Sequence, residues 1–321
     1  MKVYVKTPAR LHFGLIDLNG NMGRMFGGLG VAIDTPNVVL EAEESKIFSV
    51  TGENSERAAF FAKQFLETYK LDSNVKIHVK QTITEHVGLG SGTQLALAVA
   101  CALSKLFNVK ASLQELSLSM GRMKRTGVGT AVFGHGGFVV DGGKQTKNGT
   151  VVAESLPPLI FCQSFPENWK FVVALPEVKK GLSKTEEKIA FAKAPPMPDQ
   201  AVGDVCRLVM MKLLPTLLDQ DIKSFGEALT RIQVVVGDCF ADVQGGTFSS
   251  SEAALTIKFM KTCGAYGVGQ SSWGPAVYGL VNGDSQAKQL QCKVVDFFNN
   301  NGGGQVFIAN ANNTGATIKL I

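Results

Sequence analysis

Hydrophobic and polar positions change period several times along the chain, and each change marks an element. Lys2 to Lys6 alternates like a strand, and Val31 to Asp34, Val38 to Glu43 and Lys46 to Val50 add short β-branched runs, so the first fifty residues predict a sheet. From Ser55 to Tyr69 the apolar residues Ala58, Phe61, Ala62, Phe65, Leu66 and Tyr69 keep three- and four-residue spacing, the stripe of an amphipathic helix. Val75 to Lys80 returns to a strand, and the glycine-rich turn Gly88 to Thr93 opens an apolar helix from about Gln94 to Phe107. Ser112 with Glu115 and Ser183 with Glu186 each have capping-box spacing.

Further along, glycines frame a short apolar strand between Gly134 and Gly143, and Leu156-Pro157-Pro158-Leu159 reads as a turn. Trp169 to Leu175 predicts a strand. Ala194 to Pro198 breaks the chain before one long helical stretch from Gln200 to about Phe240. Tyr278 to Val281, a helix from Ser285 to Asn299, and Val306 to Ile308 complete an α+β pattern. A chain of 321 residues is about twice the usual domain length, and the expected division is 1–160 and 161–321.

Composition narrows the function classes. With 45% hydrophobic and 18% charged residues the chain carries enough apolar surface to build a core, which excludes a disordered chain. The net charge of +5 is scattered, suiting a small anionic substrate better than nucleic acid. Six cysteines, widely spaced and without a C-x-x-C pair, read as buried free thiols in a cytoplasmic protein. The longest apolar run, Leu95 to Leu103, is too short to span a bilayer, so no membrane anchor is expected.

Four segments carry candidate chemistry. In the Gly88 to Thr93 turn, backbone N–H groups and the positive end of the following helix converge where Gly88, Gly90, Ser91, Gly92 and Thr93 would meet a phosphate; a purely structural turn has the same sequence, and both readings stand. No Lys follows the last glycine, so this is not a Walker A loop. The N-terminal stretch brings Arg10, His12 and Asp17 together, with Arg24 close behind: Arg clamps carboxylates or phosphates, and Asp accepts a proton or holds a divalent cation. Gln270, Ser271 and Ser272 are polar enough to line a pocket, with Trp273 as its flat wall or as a packing anchor. Arg122, Lys124 and Arg125 next to Gly127 and Gly129 make a further basic turn, an anion contact or a solvated surface.

The strings T-P-A-R-L-H-F-G-L-I-D-L-N-G, F-G-G-L-G-V-A-I-D, G-L-G-S-G-T-Q-L-A-L-A, G-G-F-V-V-D-G-G and G-Q-S-S-W-G-P-A-V-Y-G, in this order, resemble the beta-ribofuranosylaminobenzene (hydroxybenzene) 5′-phosphate synthase family of the GHMP kinase superfamily. Gly181-Leu182-Ser183 and Gln244-Gly245-Gly246 fit the same resemblance. It implies a two-domain α+β fold, an N-terminal ribosomal-protein-S5-like domain followed by a ferredoxin-like one, and a homodimer. It also implies a decarboxylating pentosyltransferase of tetrahydromethanopterin biosynthesis. Such an enzyme joins 5-phosphoribosyl 1-diphosphate to 4-hydroxybenzoate or 4-aminobenzoate and releases carbon dioxide and pyrophosphate.

On that reading Asp17 and Arg24 are the expected catalytic residues, Asp17 as a base or a Mg²⁺ contact, with Mg²⁺ as the expected cofactor. Gly88, Gly90, Ser91, Gly92 and Thr93 would bind phosphate, and Arg10, His12, Gln270, Ser271, Ser272 and Trp273 the substrates. An ATP-dependent small-molecule kinase of the same superfamily is the alternative, and a non-catalytic binding module a third reading. The Gln270 to Trp273 string weighs against the kinase because it replaces glycines usual there.

Overall fold

The computed structural model describes residues 1–148, 150–178 and 195–321. Two strands dominate the N-terminal half. β1 (Lys2–Asp17) and β2 (Arg24–Ser45) form a long antiparallel hairpin, where the sequence pattern suggested only short runs. Two register shifts explain the difference, one between Thr7 and Ala9 and one between His12 and Gly14. Pro8 has no N–H to give the ladder and falls at the first. The second leaves Phe13 as the extra residue, so Phe13 packs into the core while His12 and Gly14 on either side face a cavity.

β3 (Ser49–Gly52), α1 (Ser55–Thr68) and β4 (Asn74–Gln81) follow, then α2 (Ser91–Leu106), α3 (Leu113–Ser119) and α4 (Val128–His135). The Ser112–Glu115 capping box opens α3 as its spacing predicts, with both reciprocal hydrogen bonds present. α4 was not expected: its glycines at 129 and 134 masked a short apolar helix. β5 (Phe138–Asp141), β6 (Lys144–Lys147), β7 (Thr150–Val151) and β8 (Leu159–Gln163) complete this half. The sheet runs β3, β4, β2, β1, with β5 and β6 also pairing to β2, β8 to β5 and β7 to β6. Helix α2 is buried along most of its length against β1 and β2.

The second half begins with β9 (Trp169–Pro176) and continues, beyond residues 179–194, with α5 (Asp199–Leu208), a π-helical turn over Val209–Leu213 and α6 (Leu214–Leu218). α7 (Ile222–Cys239) starts anew, capped by the Asp221 carboxylate on the Lys223 and Ser224 N–H groups, so the single helix expected from 200 to 240 is divided. The proposed capping box at Ser183 and Glu186, and the Gly181-Leu182-Ser183 string, lie outside the described residues. α8 (Ala241–Gln244), α9 (Ser251–Thr262), β10 (Gly267–Gln270), β11 (Val277–Asn282), α10 (Gly283–Asn299) and β12 (Gly304–Asn310) follow. The antiparallel sheet order β10, β11, β9, β12, with helices between β9 and β10 and between β11 and β12, is the ferredoxin-like arrangement.

The halves share one core. Phe13 of β1 lies 5.2 Å from the Tyr278 ring, 6.0 Å from Phe171 and 6.1 Å from Phe138, so aromatic packing runs from one sheet to the other. A last strand, β13 (Thr317–Leu320), four residues long and mostly exposed, was not predicted from the sequence pattern and returns to pair with β1. The expected division at 160 falls inside β8, which belongs to the first sheet. Among the described residues no helix is long and apolar enough to cross a membrane.

Candidate active site

Two cavities open side by side where the halves meet, and Arg10, Ser272 and Trp273 line both. The first, about 180 Å³, lies over the entrance of α2. Gly88 and Gly90 there have φ of 89° and 84°, a left-handed backbone that glycine adopts without strain. They turn the chain so that α2 begins with no side-chain cap and no acid in its first turn, leaving its positive end facing the cleft. Gly88, Gly90, Ser91, Gly92 and Thr93 all line this cleft, together with Arg57 and Arg122.

The turn is pinned from both halves. Arg10 donates from Nη1 to the Gly88 carbonyl, and its own N–H donates to Leu89 O at 3.1 Å. The Ser271 hydroxyl donates to Gly88 O at 2.7 Å while accepting the His12 N–H at 2.9 Å, and Ala276 N–H donates to Val87 O at 3.1 Å. Ser271 is fully buried and lines neither cavity, so the residue expected to touch substrate is a clamp between β1 and the two glycine-rich loops.

The second cavity, about 210 Å³, is walled by Trp273, Phe240, Phe248 and Val236 and edged by Arg10, Arg125, His12 and Gln244. Trp273 meets Phe240 edge to face at 4.7 Å, which fixes the indole as a wall. Ser272, at φ 57°, turns the chain between Ser271 in the core and Trp273 at the cavity. Gln270 lines the cavity, but its amide is engaged, accepting from Ser249 N–H and donating to Ser272 O, both at 2.8 Å. Its amide therefore holds the loop.

His12 is buried, and burial together with the Arg10 charge pushes its pKa down to about 3. Its Nδ1 accepts the Gly14 N–H at 3.3 Å, which places the ring proton on Nε2 and makes His12 a neutral hydrogen-bond donor.

Asp17 and Arg24, the expected catalytic pair, line neither cavity. The Asp17 carboxylate accepts the N–H groups of Asn19 and Gly20 at 2.7 and 2.8 Å, an Asx turn closing the end of β1. Arg24 donates to Gly142 O at 2.6 Å and Gly143 O at 2.7 Å, fixing the turn after β5. Both side chains serve backbone groups of their own neighbourhood, a use their residue types do not reveal.

Nor do the residues suit a protein-held Mg²⁺. Neither cavity has a carboxylate in its lining, and among the described residues no group of three or more His, Cys, Asp or Glu gathers. Hard divalent ions take oxygen ligands, carboxylates above all.

The residues not foreseen are Arg57, which sits on the polar face of α1 like any surface cation, and Phe240, Thr247 and Phe248, which reach the cavity from the far half of the sequence. Of the basic turn, Arg122 lines the first cavity and Arg125 the second, while Lys124 is exposed.

Models of the GHMP kinases N terminal domain and the GHMP kinases C terminal domain match residues 56–137 and 210–300. The beta-ribofuranosylphenol 5′-phosphate synthase of Archaeoglobus fulgidus is 35% identical, covering 98% of this chain and 99% of its own, and that of Methanothermobacter thermautotrophicus is 32% identical over 98% of each. The chain belongs to the beta-ribofuranosylphenol 5′-phosphate synthase family. Kinases stand further from this synthase-family chain: a homoserine kinase of Methanococcus maripaludis is 27% identical over 81% of the chain and 83% of its own. The solved homoserine kinase of Cytophaga hutchinsonii superposes with a TM-score of 0.67 at 18% identity, covering 99% of this chain and 97% of that one, which shows the shared GHMP fold.

Proposed function

We propose that the chain is a pentosyltransferase that joins 5-phosphoribosyl 1-diphosphate to 4-hydroxybenzoate through a carbon–carbon bond, releasing carbon dioxide and pyrophosphate, in tetrahydromethanopterin biosynthesis. The observation that carries this reading is the meeting of a cationic cleft and an aromatic-walled cavity at Arg10, Ser272 and Trp273. The name of the relatives specifies a phenol, which favours the hydroxy over the amino acceptor.

The arrangement suits the chemistry. Breaking the C1–O bond of the donor sends the electron pair to the diphosphate, and the α2 entrance with its arginines stabilises the departing charge. The oxocarbenium-like C1 is then attacked by the ring carbon that bears the carboxylate, made electron-rich by the para oxygen. Loss of carbon dioxide returns its bonding pair to the ring and restores aromaticity. Because carbon dioxide, not a proton, leaves that carbon, no carboxylate base is needed there, in keeping with a cavity edged by Arg10, Arg125 and neutral His12. Walls of Trp273, Phe240 and Phe248 keep water from the cation.

The homodimer and the cytoplasmic setting expected of the family remain part of this reading. ATP phosphotransfer is disfavoured, since neither lining offers a carboxylate to activate a hydroxyl. The test is purified protein with 5-phosphoribosyl 1-diphosphate and carboxyl-labelled 4-hydroxybenzoate, without ATP. Labelled carbon dioxide in step with ribosylated phenol is the expected outcome; no release by folded protein, with ATP-dependent product instead, would reverse it.

A further inference from the structure

The cleft over α2 concentrates positive charge to a degree that a turn does not need. A Cβ on Gly92 would lie 2.6 Å from Nη2 of Arg57 and 3.3 Å from Nη1 of Arg122, so both guanidinium groups close over the first turn of the helix. Both also lie above one ring, Phe61, at 5.9 and 5.0 Å from its centroid.

Their partners differ. Arg57 is tied to Glu85 in an ion pair. Arg122 has Nε and Nη2 buried with no hydrogen-bond partner, and burial beside Arg57 lowers its pKa to about 10. A buried guanidinium with two unmet donors, a second cation beside it and a helix N-terminus below is an expensive arrangement unless an anion completes it. Arg10 adds a third guanidinium at the seam.

We infer that this cleft takes the diphosphate of the ribosyl donor on arginine alone, with Arg122 as the principal ligand, and that the protein itself holds no divalent cation there. The inference rests on the proposed ribosyl transfer for the identity of the donor. Nε and Nη2 are adjacent donors in the fork geometry that matches two phosphate oxygens, which an ammonium group does not reproduce; both are covered in this structure, so the guanidinium must shift toward the cleft to use them. With Arg57, Arg10 and the helix end, they supply the charge that a metal held by carboxylates supplies elsewhere, so a divalent ion would enter only as part of the diphosphate complex.

Calorimetric titration of the whole protein with inorganic pyrophosphate in excess EDTA tests the first half. Wild type is expected to bind, and R122Q to bind about tenfold or more weakly. R122K, which keeps the charge and loses the fork, should recover only part of the affinity, with thermal melts checking that each variant is folded. Electron paramagnetic resonance of Mn²⁺ tests the second half: the free protein should leave the aqueous signal unchanged, and adding pyrophosphate should broaden it.

Pyrophosphate binding that disappears in EDTA, full recovery of affinity by R122K, or stoichiometric Mn²⁺ binding to the free protein would each overturn the inference. Titration with 5-phosphoribosyl 1-diphosphate and with ATP separates the two sources of a polyphosphate, and ATP binding as tightly as the ribosyl donor would overturn the donor assignment. Arginine-dependent pyrophosphate binding in a protein that fails the carbon dioxide assay would sink the ribosyl-transfer reading while leaving the anion site intact.

Discussion

Gly88 and Gly274 touch backbone to backbone: a Cβ built on Gly88 would sit 3.1 Å from Gly274 Cα and closer still to the Ser271 carbonyl oxygen, and one built on Gly274 would overlap the Val87–Gly88 peptide. The loop that faces the cleft over α2 and the loop that carries Trp273 are thus locked to each other by the absence of two side chains. Gly274→Ala should cost about 3 kcal/mol or more, because backbone on both sides must move, and should impair both cavities together. Gly203→Ala is the contrast: it lies in α5 with nothing within 4 Å of the new Cβ, and should gain up to about 1 kcal/mol. Urea unfolding of the two variants checks the pair, and equal stability for both would show that the loops do not need this contact.

The two cavities should be separable through the basic turn. Arg125 lines the aromatic cavity and Arg122 the cleft, three residues apart. Arg125→Ala is expected to raise KM for 4-hydroxybenzoate about tenfold, the worth of a charge-assisted hydrogen bond, while leaving pyrophosphate affinity within about twofold. Steady-state kinetics together with pyrophosphate titration reads both quantities, and a matching loss in each would mean that the cavities act as one.

Some of this site was legible along the chain and some was not, for physical reasons. The Gly88 to Thr93 turn and α2 are local: glycines set the turn and a run of apolar residues sets the helix, so their placement over a cleft follows from neighbours in sequence. The β1–β2 hairpin was only partly legible, because Pro8 and the bulge at His12 interrupt the alternation that would have announced it. Arg57 could not be recognised at all, since its partners Glu85, Gly92 and Phe61 include residues 28 and 35 positions away and its own helix face reads as surface. Asp17 and Arg24 misled in the opposite direction: residue types able to do chemistry, they are occupied by backbone groups.

His12 should contribute as a donor and not as a titrating base. With its pKa near 3 it stays neutral across the working pH range, so the pH profile of kcat/KM for the free enzyme should show no ionisation near 6.5. His12→Gln, which places an amide N–H near the position of Nε2, should retain more activity than His12→Ala. A profile with an inflection near 6.5 in wild type that vanishes in His12→Gln would show that the ring ionises and carries the proton.

Asp141 offers a test of how the basic turn is held. Its carboxylate, almost fully buried, accepts N–H groups of Gly127 at 2.8 Å and Gly143 at 2.9 Å, with Gly28 and Val128 also donating, so it anchors the start of α4 just beyond Arg122 and Arg125. Burial outweighs these four donors and raises its pKa from 3.8 to about 6. A carboxyl group whose pKa is raised on folding binds its proton more tightly in the folded state. Its contribution is therefore full below the unfolded value of 3.8 and is lost as pH rises through about 6. The stability of wild type relative to Asp141→Asn, which cannot ionise, should fall by about 2 kcal/mol between pH 4 and pH 7. Urea unfolding of both proteins at intervals across that range measures it. A difference that grows with pH would mean that the four N–H groups win over burial, and that the ionised carboxylate is the form that holds the arginine-bearing turn in place.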